Sequence, residues 1–491
     1  MEIVKKQKES DKTIPPLLTE GSLAARAATW LTACTSEVYL VGGTIRDWLL
    51  GRESHDVDFV VAQDSLSLAR GLADYLKGYF VPLDRRRGIA RVVCYEEEEA
   101  IYVDLILLQG QTLAQDLMRR DFTINAIALR LGEEELRLID PHQGQEDLRR
   151  RLVRAVTPHV FADDPLRLLR AVRLAAELEF EIEPQTEELL RRDAPLIELS
   201  AAERIRYELV KILRAPQAPR WARFLVDTDL LASIVPQLES HIGPAMETYE
   251  MVHQLITALK EEALGLFGLQ ALAPFGEGLL EHLAQPTNEE RCREDVLRMT
   301  ALLSPLPPEE VRGVLLELRF SGYEAHCGGH IVAHWRKLHP LRGSDISRRT
   351  IYRFFREAGD AGVEALLLAL AQEGEGQRRE QLSRSAAQLL EGYFRRYQEV
   401  IAPPLLLNGH ALMGELGLEP GPWVGELLAA LREAQAVGEV CTPEEALAFV
   451  RAWASTHWAS SKSGISPQSH LQYPLSDRME CNPKDRGSYG R

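Results

Sequence analysis

Apolar and polar positions divide the chain into two regimes. In the first, short runs rich in β-branched and aromatic residues alternate with brief helical stretches. VYLV at 38–41, DVDFVV at 56–61 and IYVDLILL at 101–108 have strand character, the last following the acidic stretch 96–99. Between the first two lies TIRDWLLG, in which Ile45, Trp48 and Leu49 recur at helical spacing before Gly51 ends the run. From Glu146 onward the pattern changes, and Leu, Ala and Val return every three or four residues, as the inward faces of packed helices require. Proline and glycine clusters near 215–219, 303–308 and 402–404 mark joints. The pattern predicts an α+β segment over 17–145, followed by all-helical segments over 146–214, 215–400 and 401–458. The polar start, 1–16, and the aperiodic end, 459–491, are expected to be disordered.

Chemistry concentrates where the first two strands meet. Asp56 and Asp58 alternate along one strand, so both carboxylates leave the same face. Two anions held that close repel unless a cation lies between them, and hard oxygen ligands with open positions suit Mg²⁺ bridged to phosphates. Gly42 and Gly43 stand just before the predicted helix, where the lack of a side chain lets backbone N–H groups approach a phosphate and the helix dipole adds attraction. Arg46 can add a fork of donors to a triphosphate. Taken singly, a glycine pair is more often a turn and an alternating acid pair a solvated strand end.

The combination, VGGTIRDWLLG followed by DVD, resembles the signature of the class II tRNA nucleotidyltransferase and bacterial poly(A) polymerase family, within the polymerase β superfamily; Ile45 replaces the usual Val. Further stretches follow in the family's order: RRDFTINAIA at 119–128, DPHQGQEDL at 140–148, FADDPLRLLRAVRLAAELEFEIEPQT at 161–186 and ERIRYEL at 203–209. The resemblance implies a polymerase-β-like nucleotidyltransferase head, a small mixed sheet with helices, over 17–145. A base-selecting neck over 146–214, a body over 215–400 and a tail over 401–458 complete it. It also implies ribose and triphosphate contacts for Arg119, Arg120 and Asp121, with Asn125 in the same element, and nucleotide contacts for Asp163, Asp164, Arg167 and Arg170. Gln143 stands where the family often has a second glycine, and Asp163 where it usually has Glu.

Asp164 and Arg167 are expected at i and i+3 on a helix starting near Pro165, sharing a face that imitates a base edge. A carboxylate there accepts from the exocyclic amino group of C or A while the guanidinium donates to a neighbouring ring atom, so U and G leave buried groups unpaired. An ordinary salt bridge on a solvated helix is the alternative. Asp104, in the third strand, is the candidate third carboxylate of a two-metal site, or else a structural charge. In the implied reaction the RNA 3′-hydroxyl attacks the nucleotide α-phosphorus in line and pyrophosphate leaves.

Only LILLQGQTLAQDLM separates Asp104 from Arg119. Family members that add C, C and A carry a flexible loop here, so the short link resembles the deletion of CC-adding members and implies CTP as donor, ATP use in doubt, and a separate A-adding enzyme for the last residue. Full CCA addition and poly(A) polymerase activity share these motifs and stay open, as does a non-catalytic RNA-binding module, against which the retained acids argue. Action on small hydroxylated drugs would leave the helical body unexplained.

The formal net charge of −16 is unusual for an RNA binder. Arginine clusters at 85–87, 149–154 and at Arg167, Arg170 and Arg173 offer local phosphate neutralisation, and Arg149, Arg150 and Arg173 are the candidate RNA contacts. Six scattered cysteines form no zinc spacing and read as reduced thiols. No signal-peptide core or membrane-length apolar run is present, so a soluble cytoplasmic protein is expected. The helical part carries His253, His326, His330, His334 and His339, but the one His-Asp pair, His55 and Asp56, falls in the nucleotidyltransferase motif, which argues against an HD phosphohydrolase. Residues 405–447 resemble a carboxy-terminal element that faces RNA in the family, with plain helix packing as the alternative.

Overall fold

A computed structural model describes residues 18–461, apart from 20, 54–55, 97–98, 134–136, 375 and 418–420. The ends expected to be disordered lie outside the described residues, except that the last helix, Pro443–Ser461, continues past 458. His55 also lies outside them.

The chain forms two compact units, one made of 1–345 with 358–390 and the other of 346–357 with 391–491. The first opens with α1 (Leu23–Cys34), β1 (Val38–Val41), α2 (Gly43–Leu49), β2 (Asp56–Val61), α3 (Ser65–Leu76), β3 (Tyr79–Asp84), β4 (Ile89–Glu96), β5 (Glu99–Leu107) and α4 (Leu113–Met118). A 3₁₀ turn at Thr123–Asn125 leads to β6 (Ala128–Arg130) and β7 (Arg137–Ile139). The seven strands form one sheet in the order β3-β4-β5-β2-β1-β6-β7. Only β2 and β5 run parallel; every other neighbouring pair is antiparallel. This is the small mixed sheet of the expected α+β head.

Strand alternation sorts the two sheet faces. Val57, Phe59 and Val61 point one way and are buried. Asp56, Asp58 and Val60 point the other way, and Val60 joins Tyr39, Val41, Leu117, Ala126 and Ala128 in an apolar cluster. That cluster closes one end of the face and leaves the aspartates at its rim.

Next come α5 (Gly144–Arg150), β8 (Leu152–Val153), α6 (Val160–Asp163), α7 (Arg167–Leu178), β9 (Glu181–Ile182), α8 (Pro184–Asp193) and α9 (Ala202–Arg214), with β8 and β9 pairing in parallel. The start of α5 shows why the family favours glycine at 143. Gln143 sits at φ +60° with its N–H-facing neighbours held by Asp140, whose carboxylate accepts from Gly144 N–H at 2.7 Å and Gln145 N–H at 2.9 Å. Gly144 admits no side chain, since a Cβ would lie 2.1 Å from the Thr123 carbonyl oxygen.

One expectation is corrected here. Asp164 and Arg167 do not share a helix face: Asp164 is extended, with φ −150° and ψ 101°, and α7 begins at Arg167. The cause is Pro165, which disfavours helical backbone in the residue before it.

The rest of this unit is helical and is tied by buried ion pairs. Glu324, wholly buried, accepts from Arg291 Nε at 2.8 Å and Nη2 at 2.9 Å, and Glu364 accepts from Arg293 at 2.8 Å. The second unit packs Leu412, Leu427, Leu431, Val440 and Val450 into its own core, and Glu433 receives Arg349, Arg353 and Arg356 from helix Arg348–Ala358. No helix among the described residues is long and apolar enough to cross a membrane.

Candidate active site

The register across the central strands brings the predicted acids together. Asp58 pairs with Asp104 across β2 and β5, and Asp56 lies two residues before Asp58 on the same face. They line one wall of a cleft of about 310 Å³ that Gly42, Gly43, Arg46, Arg120, Asp121, Asn125, Arg170 and Arg173 also line. Thr44 fixes β2 against α2: its hydroxyl donates to the Asp56 carbonyl at 3.2 Å and accepts from the Asp58 N–H at 3.0 Å.

Gly42 is irreplaceable on two counts. Its φ is +73°, and a Cβ would lie 2.9 Å from Arg120 Nη1 and 3.0 Å from Asp58 Oδ2. The backbone thus comes within touching distance of one acid and one arginine of the cleft.

A chain of polar contacts frames the cleft. Arg46 grips Asp47 through Nε at 2.9 Å and Nη2 at 2.8 Å, and donates from Nη1 to Asn125 Oδ1 at 2.9 Å. Asn125 donates to Asp121 Oδ1 at 3.0 Å, and Arg170 donates to Asp121 Oδ2 at 3.1 and 2.7 Å. Burial alone would raise the Asp121 pKa, but the Arg170 charge and the hydrogen bonds from Asn125, Arg170 and the Phe122 N–H hold it well below the usual carboxylate range. Asp121 is therefore a fixed anion that orients Arg170.

The other predicted nucleotide contacts stand apart from this wall. Arg119 is exposed and offers its carbonyl to Arg167 Nη2 at 2.8 Å; Asp163 is exposed, and Asp164 lies 3.6 Å from Arg204 Nη2. Of the candidate RNA contacts, Arg149 and Arg150 are exposed and share Glu146. Arg173 is largely buried, bound to Glu208 at 2.5 Å and Glu177 at 2.8 Å.

Arg91 was not anticipated. It lies opposite Asp104 across β4 and β5, and donates from Nε to Oδ1 at 2.8 Å and from Nη2 to Oδ2 at 2.9 Å. The signal in the sequence is a single arginine inside the largely apolar run IARVVCY, whose facing partner depends on a strand register that no local pattern specifies.

Electrostatics favour a cation at the acidic end. Burial, then the Asp104 charge, with Asp56 adding and Arg120 and Arg91 opposing, pushes the Asp58 carboxyl up to about 6. A divalent cation beside Asp56 and Asp58 relieves that cost, so this pair fits a metal. Among the described residues, no three His, Cys, Asp or Glu side chains converge into a metal-holding group.

Comparison with known proteins gives the same reading. Residues 38–154 match the poly A polymerase head domain, 179–242 the RNA- and SrmB-binding site of polymerase A, and 292–450 domain 2 of tRNA nucleotidyltransferases. The A-adding tRNA nucleotidyltransferase of Deinococcus radiodurans is 36% identical over 433 residues, spanning 84% of this chain and 95% of its own. The chain belongs to the tRNA nucleotidyltransferase and poly(A) polymerase family. A second member of that family, the CC-adding tRNA nucleotidyltransferase of Geobacter sulfurreducens, is 34% identical over 416 residues, spanning 84% of this chain and 91% of its own. The fold is shared with a CCA-adding enzyme in complex with CTP, at a TM-score of 0.65 and 24% identity over 91% of this chain and 96% of that one. It is shared also with the Thermotoga maritima CCA-adding enzyme complexed with tRNA, at 0.64 and 23% over 89% and 97%. The chain is thus a nucleotidyltransferase, and nucleotidyl transfer in this superfamily is metal-dependent.

Proposed function

We propose that the protein extends tRNA 3′ ends with CMP from CTP, adding CC, in the cytoplasm and with Mg²⁺ as the metal. The observation that carries the reaction type is the cleft itself, where Asp56 and Asp58 face the same space as Gly42, Arg46, Arg120 and Arg170. Asp56 and Asp58 hold the cation, which supplies charge neutralisation for the triphosphate and a lowered pKa for the attacking hydroxyl. Arg46, braced by Asp47 and Asn125, and Arg170, braced by Asp121, present guanidinium groups already ordered for phosphate and ribose oxygens, so little entropy is lost on binding. Arg120 adds a third charge beside Gly42. Base choice falls to Asp164 and Arg167 acting from the turn that precedes α7 and from its first residue.

The CC subtype is supported by the link after the third acid. β5 ends at Leu107 and α4 begins at Leu113, and the span between them is pinned by Gln109 N–H to Asp116 at 2.9 Å and Gln111 N–H to Gln115 at 2.8 Å. There is no length for a mobile loop that would re-form the pocket for ATP. A-addition is the second reading, favoured by the A-adding relative at 36% identity. Incubation with Mg²⁺ and tRNA transcripts ending at the discriminator base or in CC, with CTP, ATP or both, separates them at single-nucleotide resolution. Two residues added to the first transcript and none to the second support CC addition. One adenylate on the CC-ending transcript alone selects A-addition, three residues full CCA addition, and a long adenylate ladder a poly(A) polymerase.

A further inference from the structure

β4, β5 and β2 lie side by side, and their register sets Arg91 opposite Asp104 and Asp104 opposite Asp58. The three side chains form a row across one sheet face on the cleft wall. Within the row the charges are not equivalent. Both Asp104 oxygens accept from Arg91 in a fork, at 2.8 and 2.9 Å, an arrangement that takes up the lone pairs best placed for a shared ligand. The guanidinium is braced a second time by Tyr102, two residues before Asp104 on the same face, whose ring centroid lies 4.7 Å from it. Asp104 uses only two of its five N–H donors, and about a third of the side chain, 33%, is exposed to the cleft and solvent.

We propose that Asp104 is a positioning residue and not a metal ligand, and that it holds Arg91 as a phosphate-binding guanidinium for the nucleoside triphosphate. This rests on the nucleotidyl-transfer reading and assigns a further residue to it. Arg91 joins Arg46, Arg120 and Arg170 on the cleft wall, and the metal is held by Asp56 and Asp58.

The test separates ligation from charge. In Arg91→Met/Asp104→Asn both members of the pair are removed together, so the net charge of the site is unchanged while the Asp104 carboxylate is lost. Binding of Mn²⁺ alone, without nucleotide, is read from the electron paramagnetic resonance signal of the free ion, with thermal melting as the check on folding. The double variant is expected to bind Mn²⁺ within about twofold of the unaltered protein, whereas Asp58→Asn weakens it about tenfold or more. A tenfold loss in the double variant overturns the proposal and makes Asp104 a ligand; unchanged binding in Asp58→Asn instead overturns the parent assignment of the metal site. Arg91→Met is expected to raise the KM for CTP about tenfold with kcat altered less than about threefold, and Arg91→Lys to recover part of the loss. A KM unchanged in Arg91→Met removes the phosphate role. Should the double variant fail to melt cooperatively, Arg91→Gln/Asp104→Asn repeats the measurement with a polar replacement.

Discussion

At Gly42 the backbone turns with φ +73° at the point where an acid and an arginine of the cleft approach it most closely. An alanine there must be held in left-handed backbone, at a cost of about 1–2 kcal/mol, and must push aside Arg120 Nη1 and Asp58 Oδ2 as well. Gly42→Ala is therefore expected to lower CMP incorporation by about a hundredfold, since an ångström-scale shift of an aligned group costs that much. Its urea midpoint should fall only modestly. An unchanged rate would show that the glycine serves the turn alone. Gln143 poses the converse case, a side chain in left-handed backbone where nothing requires one. Gln143→Gly should raise stability by up to about 1 kcal/mol in urea unfolding, because relief of the backbone strain outweighs the added freedom of the unfolded chain. At this scale the sequence was readable where chemistry is local: two acids two apart on a strand, a glycine pair before a helix. Arg91 was not readable, because its meaning depends on which residue of a neighbouring strand it faces.

Elements hold the site through a small number of charged ties, of which Asp121 with Arg170 joins the stretch after α4 to α7. Asp121 is buried and ionised, with a folded pKa below its unfolded value of about 3.9. A depressed carboxylate pKa contributes stability that is present above the unfolded pKa and is lost as the pH falls through and below it. Asp121→Asn should cost about 2 kcal/mol at pH 7, less than a fully buried pair because a third of the Arg170 side chain, 35%, is exposed. That difference should shrink below about pH 4, where the unaltered protein loses the same contribution. A deficit independent of pH would mean that the carboxylate matters through its hydrogen bonds and not its charge. Element existence followed closely from the spacing of apolar positions, including the strands that carry the acids and the helical run after Glu146. The boundary that mattered most did not: the periodicity of LRLLRAVRL extends back over Asp164, and Pro165 with its effect on the preceding residue decides that the helix starts later, at Arg167.

Over the whole molecule, a net charge of −16 must coexist with binding of a polyanion. Much of the arginine complement is already spoken for: Arg154 by Asp147 and Glu183, Arg170 by Asp121, and Arg173 by Glu177 and Glu208. An arginine that must give up a buried carboxylate to reach a phosphate gains little by doing so, so few phosphates are neutralised and the salt dependence of tRNA binding should be shallow. Arg149 and Arg150 do not carry that cost, being exposed and sharing the half-buried Glu146 at the surface, where such pairs hold weakly. Replacing either by alanine is expected to reduce the slope of log K against log salt by about 1, as loss of one phosphate contact does. Arg173→Ala should leave that slope unchanged and instead destabilise the fold by about 3–5 kcal/mol, because Glu208, only 3% exposed, is left as an unpaired buried charge. The two outcomes are read independently, one by tRNA titration over a range of salt and the other by urea unfolding. A change of slope in Arg173→Ala with stability intact would show that this arginine leaves Glu208 to meet the RNA, and that the ion pairs of the neck are exchanged on binding and not kept.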